Sequence, residues 1–461
     1  MGLKSKEIKG YCIGINKKII DVLELFETFG INLAIVVNKS SKFLGIVTAS
    51  DIRRAFIKGY NKYSNIKKIV NYKPLFLKGE IDENQLSNVI SSSKFNDINP
   101  PLIPLIDKNN IPYNILNKED LNLPIISKNK KIGIKPNILL IGGAGYIGTN
   151  LAKKFLDLGY RVTIFDKFIY LSKRKIKLKL KNKNLNLVKG DTRSIDKTFE
   201  VVKKNDVIIH LAELVGDPLC EKRPSKTYSI NYLASMTISN ICKNLGISKF
   251  IYVSSCSVYG ARKDEKFSSE NSEINPLSVY AKLKALSEKT IIRNLGEYCR
   301  PCILRLGTVF GGSIRPRYDL VLNIFSGLIA NNKKITINGG EQWRPFVHID
   351  DVCDVIIKII KLDKNKTDGQ IFNIASYNFK ISQIGRLIKK IYPKIKIENI
   401  KGSSDKRNYK VSSNKAKRIL NFKPKVSIEK GIKDLVSFTK KNKIKNIKQK
   451  KYLNILNADK F

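Results

Sequence analysis

From residue 137 onward, short apolar runs alternate with longer stretches whose apolar positions recur every three or four residues. The runs are NILLI (137–141), RVTIF (161–165), NLVKG (186–190), DVIIH (206–210), KFIYVSS (249–255) and CILRLG (302–307). Each has the length and branched composition of a strand buried on both faces. Between them, stretches such as TNLAKKFLDLG (149–159) and LASMTISNICKNLG (233–246) place their apolar residues on one side of a helix. This alternation predicts an α/β fold with a doubly wound parallel sheet over 137–310. From about 311 it loosens into loops such as GGSIRPRYD (311–319), so 311–440 reads as a smaller α/β portion that returns elements to the sheet, and 441–461 as a basic tail. Residues 1–125 mix short strands and helices in an α+β pattern. The polar stretch 126–136, punctuated by Gly133 and Pro136, reads as a linker.

Hydrophobic content of 42% suits globular domains, and no run approaches the eighteen apolar residues of a membrane span. The first residues lack an apolar stretch with a cleavage site, and Lys6 stands where a myristoylation signal needs Ser or Thr; a cytoplasmic protein is expected. The seven scattered cysteines suit reduced thiols rather than a disulfide framework. Cys299 and Cys302 form a CxxC, but two histidines and no second CxxC leave no zinc set, so no metal is expected. The formal charge of +47 allows a polyanion partner. Its densest runs, KRKIKLKLKNKN (173–184) and KKNKIKNIKQKK (440–451), contain no aromatic platform for bases and read as solvated faces and a loose tail. No specific nucleic-acid partner and no membrane partner is expected.

The stretch NILLIGGAGYIGTNLAKKFLDLGYRVTIFD (137–166) is a strand, a glycine-rich turn, a helix, a second strand and an acid. Gly142, Gly145 and Gly148 supply a tight turn, close approach to a diphosphate and close helix–strand packing. The helix start at Tyr146 and Ile147 offers free N–H groups to phosphate. Asp166 is placed to bind a ribose hydroxyl, which favours NAD over a 2′-phosphorylated cofactor, although Lys167 beside it softens that preference. Asp191, with Thr192, is placed to reach the adenine edge or to cap a helix.

Farther on, Tyr280 and Lys284 in PLSVYAKLKALSEK (276–289) are four apart and share a helix face. A free tyrosine is a poor base at neutral pH, but a nearby ammonium and a cationic nicotinamide stabilise the phenolate. Tyr280 then becomes a workable general base for a sugar hydroxyl. Residues 137–435 resemble the extended short-chain dehydrogenase/reductase family in its nucleotide-sugar epimerase/dehydratase branch. The pieces that carry the likeness are GGAGYIG, Asp166, HLAE (210–213), Asn231 in NYLAS, SSCSVYG (254–260), YAKLK (280–284) and WRPFVHIDD (343–351). The resemblance implies a Rossmann-type sheet with a smaller C-terminal substrate-binding portion, bound NAD and a nucleotide-sugar substrate. It implies a catalytic triad of Ser255, Tyr280 and Lys284, with Leu211, Ala212 and Asn231 at the cofactor and Glu213 at the substrate. Arg344 and Arg407 resemble the arginines that grip the sugar nucleotide's diphosphate; structural ion pairs with Asp350, Asp351 or Asp405 are the competing reading. Cys256 and Ser257 stand where the family's 4,6-dehydratases carry Asp-Glu, which disfavours elimination of water. His210 and His348 read as structural.

In the first segment, KFLGIVTASDIRRAFIKG (42–59) resembles the end of a CBS motif, whose Thr48 and Asp51 would hold an adenine nucleotide. A second half over 101–121 has the same outline, with Asn117 and Asp120 in the matching places, and is degenerate. The expectation is an NAD-dependent nucleotide-sugar epimerase, a homodimer, with a CBS pair that senses a ligand or serves oligomerisation. The alternatives are a dehydrogenase/reductase or dehydratase of the same family, and a non-catalytic nucleotide-binding sensor.

Overall fold

The computed structural model describes residues 8–29, 31–79, 102–117, 135–262, 266–295, 299–402, 405 and 407–460. The chain divides into two compact units, 1–127 and 128–461.

In the first unit, β1 (Cys12–Gly14) lies parallel to β2 (Leu33–Val37), which turns back antiparallel into β3 (Phe43–Thr48). Helix α1 (Ile19–Phe29) buries Ile19, Val22 and Phe26, and α2 (Ala49–Ile57) buries Ile52 and Ala55. Strands β4 (Leu77–Lys78), β5 (Leu102–Ile106) and β6 (Pro112–Asn117) repeat the parallel-then-antiparallel order. The two sheets share a core of Leu33, Ile35, Phe43, Ile106 and Ile115. The outline read in the second half therefore matches the first in the order and direction of its strands. The Asn117 side chain, Asp120 and the linker residues 126–134 lie outside the described residues. Thr48 and Asp51 close on each other at the start of α2. The Thr48 hydroxyl donates to Asp51 Oδ2 at 2.7 Å and accepts the Asp51 N–H at 3.2 Å, while Arg54 holds the other carboxylate oxygen. This is a capping box that satisfies the helix's own N–H groups. It uses the atoms expected to hold a nucleotide.

The second unit is built on a parallel sheet of seven strands: β7 (Ile138–Ile141), β8 (Val162–Asp166), β9 (Leu185–Lys189), β10 (Val207–His210), β11 (Lys249–Ser255), β12 (Cys302–Leu306) and β13 (Ile371–Ile374). Their spatial order is β13-β12-β11-β10-β7-β8-β9, so the winding reverses between β7 and β10. Successive side chains leave a strand on opposite faces. Thus Ile138 and Leu140 enter one core, with Leu151 and Phe155 of α3 (Tyr146–Asp157), while Leu139 and Ile141 enter the other, with Ile238 of α4 (Ala234–Asn244) and Ile291 of α5 (Val279–Leu295). Ligands in such sheets sit in the crevice at the carboxyl ends of the strands, where the order reverses.

The smaller portion packs α6 (Val321–Ala330), α8 (Ile381–Ile391) and α9 (Ile428–Lys441) around short strands at 308–310, 335–338, 343–348, 377–380 and 397–400, while α7 (Ile349–Lys361) buries Val352 and Ile356 in the core of the large sheet with α3. Phe310, Phe346, Ile384 and Ile432 form its centre. Residues 441–461 are not the loose tail that their lysines suggest. Ile444, Ile447 and Tyr452 pack with Tyr318, and Asn454 and Asn457 are buried. Their apolar positions line up inward while the intervening lysines stay in solvent, so dense charge on one side of the segment masks a docking side. Among the described residues, no helix is long and apolar enough to cross a membrane.

Candidate active site

The glycine turn after β7 is built to admit a diphosphate. Gly142 has φ +83°, and a Cβ there would stand 2.5 Å from the Ala212 nitrogen; one on Gly148 would stand 2.6 Å from Gly143 Cα. Neither position tolerates a side chain, so the turn stays tight against the HLAE loop and α3 stays close to the turn. Gly145 begins α3 with no side-chain cap, which leaves the first N–H groups of Tyr146 and Ile147 and the positive dipole end for an anion. The Tyr146 ring itself turns away, its hydroxyl donating to the Gly311 carbonyl at 2.8 Å. Asp166 ends β8, where its carboxylate accepts the Ala144 and Phe168 N–H groups at 3.1 and 2.7 Å. Burial pushes its carboxyl up, while those N–H groups and Arg315 pull it back. Lys167 is not turned to Asp166 but stands 3.2 Å from Asp191. Asp191 also holds Arg193 at 2.6 Å, which keeps its carboxyl well below the usual range. Leu211, Ala212 and Thr192 line the same cavity. The uncapped helix, the crowded glycines and the acid on the second strand fit a dinucleotide.

That cavity, of about 640 Å³, also receives Ser255, Tyr280 and Lys284. Ser255 sits where β11 ends, and its Oγ accepts the Ser257 N–H at 3.2 Å. Lys284 lies one turn along α5 from Tyr280, its Nζ 5.9 Å from that ring and donating to the Val253 carbonyl. Glu213 lines the same cavity but is engaged by the protein's own groups. Its side chain is 2% exposed, with Oε2 2.7 Å from Lys284 Nζ and Oε1 accepting the Tyr252 hydroxyl at 2.6 Å. The ammonium expected to tune Tyr280 is thereby neutralised. Burial and then the Glu213 charge push the Tyr280 phenol well above its ordinary value, with Arg317 opposing. Neighbouring Cys256 is buried, donates to the Arg305 carbonyl at 3.2 Å and has its thiol pushed up by desolvation. It is no nucleophile. Ser257 presents a buried hydroxyl without a hydrogen-bond partner.

Several residues stand differently from their sequence-based reading. Asn231 directs its amide at the Leu214 backbone, accepting at 2.8 Å and donating at 2.9 Å, and so fixes the HLAE loop instead of facing the cofactor. Arg344 and Arg407 line the cavity but share Asp405, each at 2.6 Å, and Arg407 also reaches Asp217 at 2.6 Å. Asp350 and Asp351 are not their partners; Asp350 lies 3.3 Å from Lys154. His210 Nε2 meets Ser235 Oγ at 2.8 Å, and burial holds its pKa down to about 3, so it is neutral. His348 Nδ1 accepts the Asp350 N–H and starts α7. Asp405, the ion-pair partner weighed from the sequence, lines the cavity too; sequence reasoning missed Arg315, Arg317, Asn454 and Ile455, which line it as well. The pair of arginines in RPRYD was the available signal for two of them; Asn454 carried none.

Residues 138–375 match the profile of the NAD dependent epimerase/dehydratase family, and residues 8–58 match that of the CBS domain. A dTDP-D-glucose 4,6-dehydratase of Mus musculus is 29% identical over 325 residues, covering 66% of this chain and 89% of the mouse protein. The structure of a UDP-glucose 4-epimerase from Thermotoga maritima with UDP-glucose superposes with a TM-score of 0.60 at 25% identity, covering 66% of this chain and 99% of that one. A UDP-glucuronic acid 4-epimerase from Bacillus cereus, in complex with UDP-glucuronic acid and NAD, gives 0.59 at 26% identity over the same shares. The family match spans the sheet that carries Gly142, Ser255 and Tyr280, and this chain therefore belongs to the NAD dependent epimerase/dehydratase family, joined to an N-terminal CBS domain.

Proposed function

We propose that the chain is an epimerase of nucleotide-bound sugars, with Ser255, Tyr280 and Lys284 as its reacting cluster. The observation that carries this reading is the chemistry at 256–257. Elimination of water from a sugar needs an acid and a base beside the reacting carbons. Cys256 has its thiol buried against Arg305 and its pKa raised, and Ser257 offers only a hydroxyl. Oxidation and re-reduction at one carbon need only the single proton carrier that Tyr280 supplies, with no second acid–base pair.

NAD, held by the glycine turn and Asp166, would supply reversible hydride acceptance at the sugar carbon. Tyr280 takes the hydroxyl proton at its phenolate oxygen as the carbonyl forms and gives it back on reduction. Ser255 Oγ donates to the oxygen that gains and loses charge. Return of hydride to the opposite face of the ketone inverts the centre, with no net oxidation. Lys284 and Glu213 hold the floor of the site as a buried ion pair. Asp166 orients the adenosine ribose, and Arg344 and Arg407 meet the sugar nucleotide's diphosphate, for which Asp405 is the resident anion. The CBS unit would serve oligomerisation, as part of a homodimer, or sense a ligand; Thr48 and Asp51 are engaged with each other in the capping box of α2.

The test is proton NMR of a panel of UDP- and dTDP-sugars incubated with the chain and catalytic NAD. Appearance of an epimer without accumulating NADH supports the reading. A 4-keto-6-deoxy product would assign the chain to the dehydratases, and stoichiometric NADH to the dehydrogenases.

A further inference from the structure

Beside the glycine turn lies a buried guanidinium on which the Asp166 and Asp319 carboxylates act only from a distance. Arg315 is 3% exposed, and among the described residues no carboxylate pairs with it. Its Nε is buried without a hydrogen-bond partner, its Nη2 donates to Asn454 Oδ1 at 2.5 Å, and its plane stacks 4.0 Å above the Tyr170 ring. Burying a lone cation is costly unless an anion meets it. Desolvation and the nearby Arg317 charge hold its pKa down to about 10, outweighing the opposing pull of Tyr170 and Asp319. The paired neighbour shows the contrast: Arg317 is satisfied by Asp319 at 2.9 Å.

The location says which anion belongs there. The Arg315 N–H donates to Ser313 Oγ at 3.2 Å. That hydroxyl donates to the Tyr146 carbonyl at 2.8 Å and bonds Thr149 Oγ1 at 3.0 Å. Tyr146 and Thr149 form the first turn of α3. The arginine loop is thus stitched to the helix end whose N–H groups are uncapped. Arg315 also acts on Asp166, the ribose-binding acid. Dipole and guanidinium face one cavity from two sides.

Asn454 belongs to the C-terminal segment and ties three pieces together. Besides accepting from Arg315, it donates through Nδ2 to the Val215 carbonyl at 2.8 Å and through its backbone N–H to Asp319 Oδ2 at 3.4 Å. Val215 belongs to the loop after β10, so the segment bridges that loop to the arginine loop, and Ile455 beside it lines the cavity.

We propose that Arg315 is the cationic ligand of the dinucleotide's diphosphate, and that the C-terminal segment is a strap that holds it in place through Asn454. The guanidinium fork would take two phosphate oxygens while the α3 N–H groups take the others. Asn454 is a positioning residue; it touches the arginine, not the ligand.

The experiment is isothermal titration of the nucleotide-stripped full chain with NAD, adenosine and UDP. Arg315→Gln should weaken NAD by about 10- to 100-fold, the scale of a lost charge-assisted contact. Adenosine, which has no phosphate, and UDP, which probes the sugar-nucleotide end, should bind as before. Asn454→Asp would place a carboxylate on the guanidinium and neutralise it. It should weaken NAD more than Asn454→Ala does, although it adds an ion pair and raises the melting temperature of the unliganded chain. If Arg315→Gln fails to fold, the Asn454→Asp comparison decides alone. Unchanged NAD affinity overturns the proposal. So does loss of UDP binding with NAD retained, which would assign Arg315 to the sugar nucleotide, or a parallel loss of adenosine, which would make it merely structural.

Discussion

Glu213→Gln isolates the electrostatics of the catalytic tyrosine. In the native chain the Lys284 ammonium is 2.7 Å from Glu213, and the phenol of Tyr280 is pushed up by burial and by the Glu213 charge. The amide has the same shape and keeps a partner for the Tyr252 hydroxyl, but it removes one negative charge. Lys284 then stands unopposed 5.9 Å from the Tyr280 ring. Lys284 acts on the phenol in both chains, so the change is the loss of the Glu213 repulsion. With Glu213 Oε2 2.7 Å from Lys284 Nζ, that charge stands on the order of 6 Å from the phenol and contributes about 2.8 kcal/mol at an effective dielectric of about 20. This amounts to a fall of up to about two pKa units for the phenol. Because the phenolate is the active form, a lower pKa populates it at lower pH, and the acidic limb of the kcat/KM profile should move down by up to that amount. Ultraviolet difference titration of NAD-loaded Glu213→Gln against the same variant carrying Tyr280→Phe reads the phenol directly. The substitution also leaves a buried ammonium unpaired, so a loss of about 3–5 kcal/mol in urea unfolding should accompany it. An acidic limb that stays in place, or moves to higher pH, in a folded variant that binds NAD would refute the claim that Glu213 governs Tyr280.

The other expectations are as direct. Tyr280→Phe should lower turnover by at least about 100-fold while the chain still retains NAD by mass spectrometry; activity above about a tenth of native would remove Tyr280 from the mechanism. Burial raises the Asp405 carboxyl, but the hydrogen bonds from Arg407 and the charges of Arg344 and Arg407 outweigh it and hold the group below its ordinary range. Its stabilising contribution is therefore present above that range and is lost as pH falls toward the folded value. Asp405→Asn should lower the urea midpoint at neutral pH and flatten its decline in acid; an unchanged acid slope would contradict the pairing. Deleting 444–461 removes the buried Ile444, Ile447 and Tyr452, worth on the order of 5 kcal/mol, and should lower the melting temperature clearly, whereas a solvated tail would leave it unchanged.

What the sequence determined by itself lies in local chemistry. Six strands of the large sheet were legible, the central ones because a strand buried on both faces must be apolar and the edge strand β9, with a single buried residue, from its short branched run. Gly142 and Gly148 were legible because a turn that excludes Cβ atoms admits no other residue, and Tyr280 and Lys284 because four residues make one helical turn. Tertiary structure decided the choice of partner. The short run at Ile371–Ile374 became the seventh strand only because the chain returned to β12 after the smaller portion had formed. Lys284 went to Glu213, Asn231 to Leu214, and Arg344 and Arg407 to Asp405, and in each case a polar group took a complementary atom the fold brought to it. The lysine-rich C-terminus followed the same rule. Its composition describes the side facing water, while Tyr452 and Asn454 found their places only once Tyr318 and Arg315, more than a hundred residues earlier, had formed a surface to receive them.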